Sequence, residues 1–183
     1  MHERVVAAAA ELTLELGWAG VTMGKLADRV GVSRQTVYNE VGSKPQLAEE
    51  MVLAELAKFL AVVDLAFDRH PADLLEAIRA AAAGVLELAG SNALLQAVVS
   101  ASYGAETELL PLLTTRNDAL VLAATQAVRA RIGDYRVDLD DRHLDTAIDM
   151  VVRLVLSHVV HPVGTPRATA DDIAWIAGRT LRP

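Results

Sequence analysis

Residues 22–44 read TMGKLADRVGVSRQTVYNEVGSK, and the fold is decided there. Thr22 has the chemistry of an N-cap, at the head of a short helix that ends near Val30. Gly31-Val32 forms a turn, and Ser33 caps a second short helix that runs to about residue 40. Two short helices joined by a tight turn containing Gly are the helix-turn-helix pattern. Ala27 is small where the helices cross, and Gly31 stands where the turn favours positive φ. Leu26, Val30, Val32 and Val37 supply the apolar filling that fixes the crossing. The competing reading is two ordinary helices of a bundle, and the outward residues decide against it. Arg34, Gln35, Thr36, Tyr38 and Asn39 are polar and reach out while Val37 points in. Such a helix fits the major groove, where Arg bonds guanine bidentately and Gln or Asn bonds adenine. Thr22, Tyr38 and Lys44 lie where hydroxyls and an ammonium would hold phosphates, and Lys25 and Ser33 complete the DNA-facing set.

Outward from this stretch the apolar residues recur at helical spacing, and nothing alternates like a half-buried strand. A first helix is predicted over 3–16, with Val5, Val6, Ala9, Leu12 and Leu16 on one face and Gly17 closing it. Gly42-Ser43 breaks the chain, and Ser43 or Lys44-Pro45 opens a long helix to about residue 67, with Pro45 fitting its first turn. Further helices are predicted over 71–89, up to about 102, over 107–132, over 140–160 and over 169–181. The expectation is an all-α chain of nine helices. Short helices with tight turns give way to long apolar ones near residue 45, so the expected domains are 1–45 and 46–183.

Composition sets limits on chemistry. The 183 residues are 52% hydrophobic, which excludes a disordered chain. The absence of Cys excludes a disulfide scaffold, a thiolate zinc site and a cysteine nucleophile. With 17 Lys+Arg against 24 Asp+Glu the net charge is -7. Residues 22–44, however, carry Lys25, Arg29, Arg34 and Lys44 against Asp28 and Glu40, so an acidic total confines DNA contact to one small face. Glu3, Glu11 and Glu15 interrupt the N-terminal stretch, which is not a signal peptide, and the most apolar run, 150–160, contains Arg153. The expected location is the cytoplasm, with no membrane partner. His158 and His161 have helical spacing for a metal but no evident third ligand. Asp138, Asp140, Asp141, Asp145 and Asp149 lack the Gly and terminal Glu of a calcium loop. Gly20-x-x-x-Gly24-Lys25 is one residue short of a phosphate loop. No metal, no cofactor and no catalytic set are expected, so the chain does not read as an enzyme.

Val21-Thr22-Met23, Leu26-Ala27, Val30-Gly31-Val32-Ser33, Thr36-Val37-Tyr38 and Ser43-Lys44-Pro45-Gln46-Leu47 resemble the DNA-binding module of the tetracycline-repressor (TetR) family. The motif covers about residues 3–50. The resemblance implies an all-helical homodimeric regulator. Its N-terminal module would read a palindromic double-stranded DNA operator. Its larger C-terminal domain would bind a small-molecule effector and dimerise through the last two long helices. Two positions depart from the family pattern: Val41 stands where an aromatic residue is usual, and Glu40 where His or a neutral residue is frequent. The chain also starts directly at the first helix, so no basic arm is expected in the minor groove.

The expected dimer seam uses Ile148, Val152, Val155, Leu156, Val159, Ile173, Trp175 and Ile176, because a helix apolar on nearly all sides must be covered on all of them. The expected effector pocket is lined by Phe59, Phe67, Leu86, Gln96, Tyr103 and Asn117, a few polar groups among apolar ones. Together these readings describe a ligand-responsive repressor, released from its operator by a small hydrophobic effector. The alternative is a helical small-molecule carrier or interaction protein without DNA binding.

Overall fold

The computed structural model describes residues 1–100, 109 and 118–181, and among them it has nine helices and no strand. These are α1 (His2–Gly20), α2 (Met23–Val30), α3 (Arg34–Val41), α4 (Lys44–Arg69), α5 (Leu74–Ser91), α6 (Ala93–Ser100), α7 (Asp118–Ile132), α8 (Asp141–Val160) and α9 (Pro166–Thr180). The chain divides into two compact units. The first comprises Met1–Glu55 and Asn92–Asn117, the second Leu56–Ser91 and Asp118–Pro183. The start of the helix predicted over 107–132 lies outside the described residues.

In the first unit, α1, α2 and α3 pack on one another around Val5, Ala9, Leu12, Leu26, Ala27, Val37 and Val41. Leu47, Ala48 and Met51 from the first turns of α4 join that core, as do Leu94 and Leu109. Asn92 fixes the start of α6: its side-chain oxygen accepts from the Leu95 amide at 2.8 Å, and its amide donates to Glu55 at 2.8 Å. One expectation fails in α1. Leu16 is 45% exposed, and Trp18 takes its place in the core at 3%. The chain kinks at Gly17, where φ 73 and ψ 159 break the helical phase, and Trp18 enters the core just beyond it. Residues beyond the kink, Trp18 first among them, therefore no longer follow the period set by Val5, Ala9 and Leu12.

In the second unit α5 lies along α9, and α8 packs on α5, α7 and α9. Two helix starts differ from expectation. α5 begins at Leu74, not at Pro71, because Asp73 caps it by accepting from the Glu76 amide at 3.1 Å. α9 begins at Pro166, not at Thr169: Thr165 accepts from the Ala168 amide at 3.2 Å, and Pro166 occupies the first turn, where its missing N–H costs nothing. Thr169 is buried and donates to the Val163 carbonyl at 3.0 Å. Asp140 caps α8 as expected.

The C-terminal end of α4 is tied down from the segment that follows α7. The Tyr135 hydroxyl donates to the His70 carbonyl at 2.9 Å and reaches the Phe67 carbonyl at 3.3 Å, satisfying acceptors that a helix end leaves open. Its ring meets Phe67 edge-on, 5.9 Å between centroids. Arg131 pairs with Asp68 and lies 6.0 Å from the Phe67 ring centroid. The acidic run 138–149 is largely engaged in ion pairs and a cap. Asp141 and Asp145 both pair with Arg129, at 2.6 and 2.9 Å, and Asp149 pairs with Arg153 at 2.8 Å. The Asp140 carboxyl is held below its ordinary range by the His143 backbone amide and then by the His143 ring. His158 bonds the Leu154 carbonyl of its own helix at 2.9 Å. Among the described residues no helix is long and apolar enough to cross a membrane by itself.

Candidate nucleic-acid interface

The interface is assembled from caps and turns. Thr22, in extended backbone, accepts from the Lys25 amide at 3.2 Å and starts α2. α2 ends where Gly31 takes φ 76, ψ 40, and the amides of Gly31 and Val32 both donate to the Ala27 carbonyl at 2.9 Å. A side chain at Gly31 would be strained in this left-handed backbone. Ser33 accepts from the Thr36 amide at 3.1 Å and starts α3. Gly42 ends α3 at φ 65, with the Gln46 side chain packed where a Cβ would stand. Gln46 is there because it closes a capping box: its carbonyl oxygen accepts from the Ser43 amide at 2.8 Å and hydroxyl at 2.9 Å.

These connections orient α3 unambiguously. Val37 is completely buried, whereas Arg34, Gln35, Tyr38 and Asn39 are exposed, Tyr38 by 44%. Gln35 donates to Asn39 at 2.9 Å one turn on, which holds the two side-chain amides side by side. Ser33 and Thr36 share a hydroxyl contact at 2.9 Å, so both are engaged at the cap. The Arg34 side chain lies beside Gly24, so the start of α3 adjoins the first turn of α2.

The cations are less available than their number in the sequence implies. Arg29 pairs with Glu15 at 2.6 Å and with Glu11 at 3.3 Å on α1, and the Glu15 hydrogen bond holds its guanidinium above the ordinary range. Arg4 donates to the Val30 carbonyl at 3.1 Å. Lys25 donates to the Gly20 carbonyl at 2.9 Å. Lys44 donates to the Trp18 carbonyl at 2.9 Å and stands 4.8 Å from the Trp18 ring centroid. Arg34 makes no ion pair among the described residues. Arg29 thus stabilises the module, and the local positive balance is smaller than the residue count. Glu40 is half-buried, and its backbone carbonyl accepts from His2 at 2.9 Å.

Phe67 and Leu86 are buried and Phe59 is half-buried in the second unit, while Gln96 is exposed on α6 in the first. Phe67 meets the Tyr135 ring near the C-terminal end of α4. Tyr103 and Asn117 lie outside the described residues. Of the expected dimer residues, Ile148, Val152 and Ile173 are buried in the single chain. Val155, Leu156 and Val159 are half-buried, and Trp175 is 63% exposed beside exposed Ile176. Met150 on α8, absent from the expected set, is exposed as well.

A family model described as bacterial regulatory proteins, tetR family, matches residues 5–51. A second, described as the C-terminal domain of the bacterial tetracycline repressor, matches residues 73–179. The HTH-type transcriptional regulator AlkX of Mycobacterium tuberculosis is 28% identical over 175 residues, 95% of this chain and 82% of that protein. The crystal structure of the TetR family repressor AlkX from a Dietzia strain, implicated in biodegradation of n-alkanes, superposes with a TM-score of 0.78 at 25% identity. It covers 98% of this chain and 94% of that one. The repressor QsdR of R. erythropolis shares the fold at 18% identity, with a TM-score of 0.64 and coverage of 97% and 94%.

Proposed function

Since this chain belongs to the TetR family of DNA-binding transcriptional regulators, we propose that it is a repressor that grips a palindromic operator as a homodimer and leaves it when a small hydrophobic effector binds. One observation carries the DNA half of this reading. α3 is capped at Ser33 and anchored by buried Val37, so Arg34, Gln35, Tyr38 and Asn39 form one outward polar face. On this reading residues 1–45 contact DNA, and the remainder holds the effector and the partner subunit. A two-fold protein places two such faces on half-sites about 34–36 Å apart. The exposed Trp175, Ile176 and Met150 support a seam built from α8 and α9, since water-exposed large apolar side chains on neighbouring helices favour association. The AlkX relative implicated in n-alkane biodegradation supports an aliphatic effector. Release requires that the effector bind the non-binding conformation more tightly, because equal affinity for both shifts nothing.

The test is selection of fragments from the source genome on the full-length protein. The expected product is a short palindrome whose half-site centres are one helical turn, or a multiple of it, apart. Recovery of no enriched sequence at low salt would overturn the reading.

A further inference from the structure

His2 stands where three helices of the first unit meet. Its Nδ1 lies 2.9 Å from the Glu40 carbonyl oxygen in the last turn of α3. Its Nε2 lies 3.3 Å from a carboxylate oxygen of Glu50 on α4. Both neighbours are acceptors, and a neutral imidazole has a single N–H. Only the doubly protonated ring donates to both. Glu40 is also among the last four carbonyls of α3, which have no partner within their own helix. A His side chain that bonds such a carbonyl caps the helix, and its positive charge complements the negative end of the helix dipole.

We propose that His2 is a positioning residue for DNA binding: as an imidazolium it ties the first turn of α1 to the end of the recognition helix and to α4, and DNA binding strengthens as the ring is protonated. The inference rests on the DNA-reading role of α3 given above. The charged groups acting on the ring are Glu50 from α4 and Glu40 from α3. On its own helix Glu3 follows it in sequence, and Arg4 is turned to the Val30 carbonyl on α2. The balance around the ring is therefore negative. The Glu40 carbonyl, followed by the Glu50 carboxylate, raises the ring above its ordinary value, with partial burial opposing. A raised value in the folded state means that the contact is fully present below about pH 6.5 and is lost as pH rises through the raised value.

Two measurements on the full-length protein decide the matter. In NMR, the His2 ring proton, identified by its disappearance in His2→Gln, is expected to titrate above about pH 6.5 and to move down in Glu50→Gln. In fluorescence anisotropy with the genome-selected palindrome, wild type is expected to weaken from pH 6 to pH 8 by about two- to fivefold more than His2→Gln, the span of one charge at a helix C-terminus. His2→Lys keeps a cation at both values and is expected to lose this extra weakening and to parallel His2→Gln. A midpoint at or below about 6.5, or parallel profiles for wild type, His2→Gln and His2→Lys, would overturn the proposal. Absence of binding by every protein at pH 6 would instead remove the DNA-binding reading on which it stands, while the NMR midpoint still reports the clasp.

Discussion

Trp18→Ala is expected to destabilise the DNA-binding module by about 3–5 kcal/mol, the usual loss when a buried aromatic is cut to a methyl group. Trp18 is 3% exposed and belongs to the same core as Val5, Leu12, Leu26 and Val37. The truncation opens a cavity between α1 and its neighbours that short helices of eight residues, α2 and α3, are poorly able to refill by themselves. It also removes the ring face that Lys44 covers, although the bond from Lys44 to the Trp18 carbonyl can persist. Trp18→Phe retains most of the apolar area and is expected to lose far less. The chain has two Trp residues, so a Trp175→Phe background leaves Trp18 as the single indole reporter. Urea unfolding followed by circular dichroism would measure the loss in Trp18→Ala. A change below about 1 kcal/mol would show that the ring is not part of the core.

Phe67→Ala is expected to destabilise the second unit by a similar amount, about 3–5 kcal/mol. Its side chain is 2% exposed and is the largest among the nearly inaccessible ones. Three interactions converge on it: the edge of Tyr135, the Arg131 guanidinium and its own carbonyl as a Tyr135 acceptor. Removing the ring leaves Tyr135 without its aromatic partner and loosens the end of α4. The buried Arg131 Nε already lacks a hydrogen bond, so the site has little polar compensation to offer. Phe59→Ala, at a half-buried position on the same helix, is the comparison and is expected to cost less. Calorimetry that found both substitutions equally mild would contradict the assignment of Phe67 to a closed helix end.

Much of this architecture is legible in particular residues. Thr22, Gly31 and Ser33 mark their helix boundaries because cap chemistry is local: each acts on amides or a dihedral within a few positions. The polar face of α3 is legible for the same reason, since buried Val37 sets the phase for the exposed residues around it. Trp18 was not predictable from the periodicity, because the Gly17 kink resets the helical phase. The capping box at Ser43 and Gln46 was present in the sequence as a Ser-x-x-Gln signal and marks the start of α4 more sharply than Pro45. Pro71 lies ahead of α5, whose cap is Asp73. The partners of Arg29, Lys25 and Lys44 depend on tertiary packing, so a count of cations overstates what the module presents to phosphates. Ile148, Val152 and Ile173 show the same limit: hydrophobicity marks them as covered and does not say by which chain.

The central claim is that the outward face of α3 reads bases. Its most direct test is the affinity of Arg34→Ala for the selected palindrome, measured by anisotropy beside wild type at one fixed salt concentration. Arg34 makes no ion pair among the described residues, so its removal leaves the module's internal pairs intact. A weakening of about tenfold or more, concentrated on the palindrome and small on unrelated duplex, is the predicted result. Equal affinity of Arg34→Ala and wild type for the palindrome would contradict the docking of α3 in the groove.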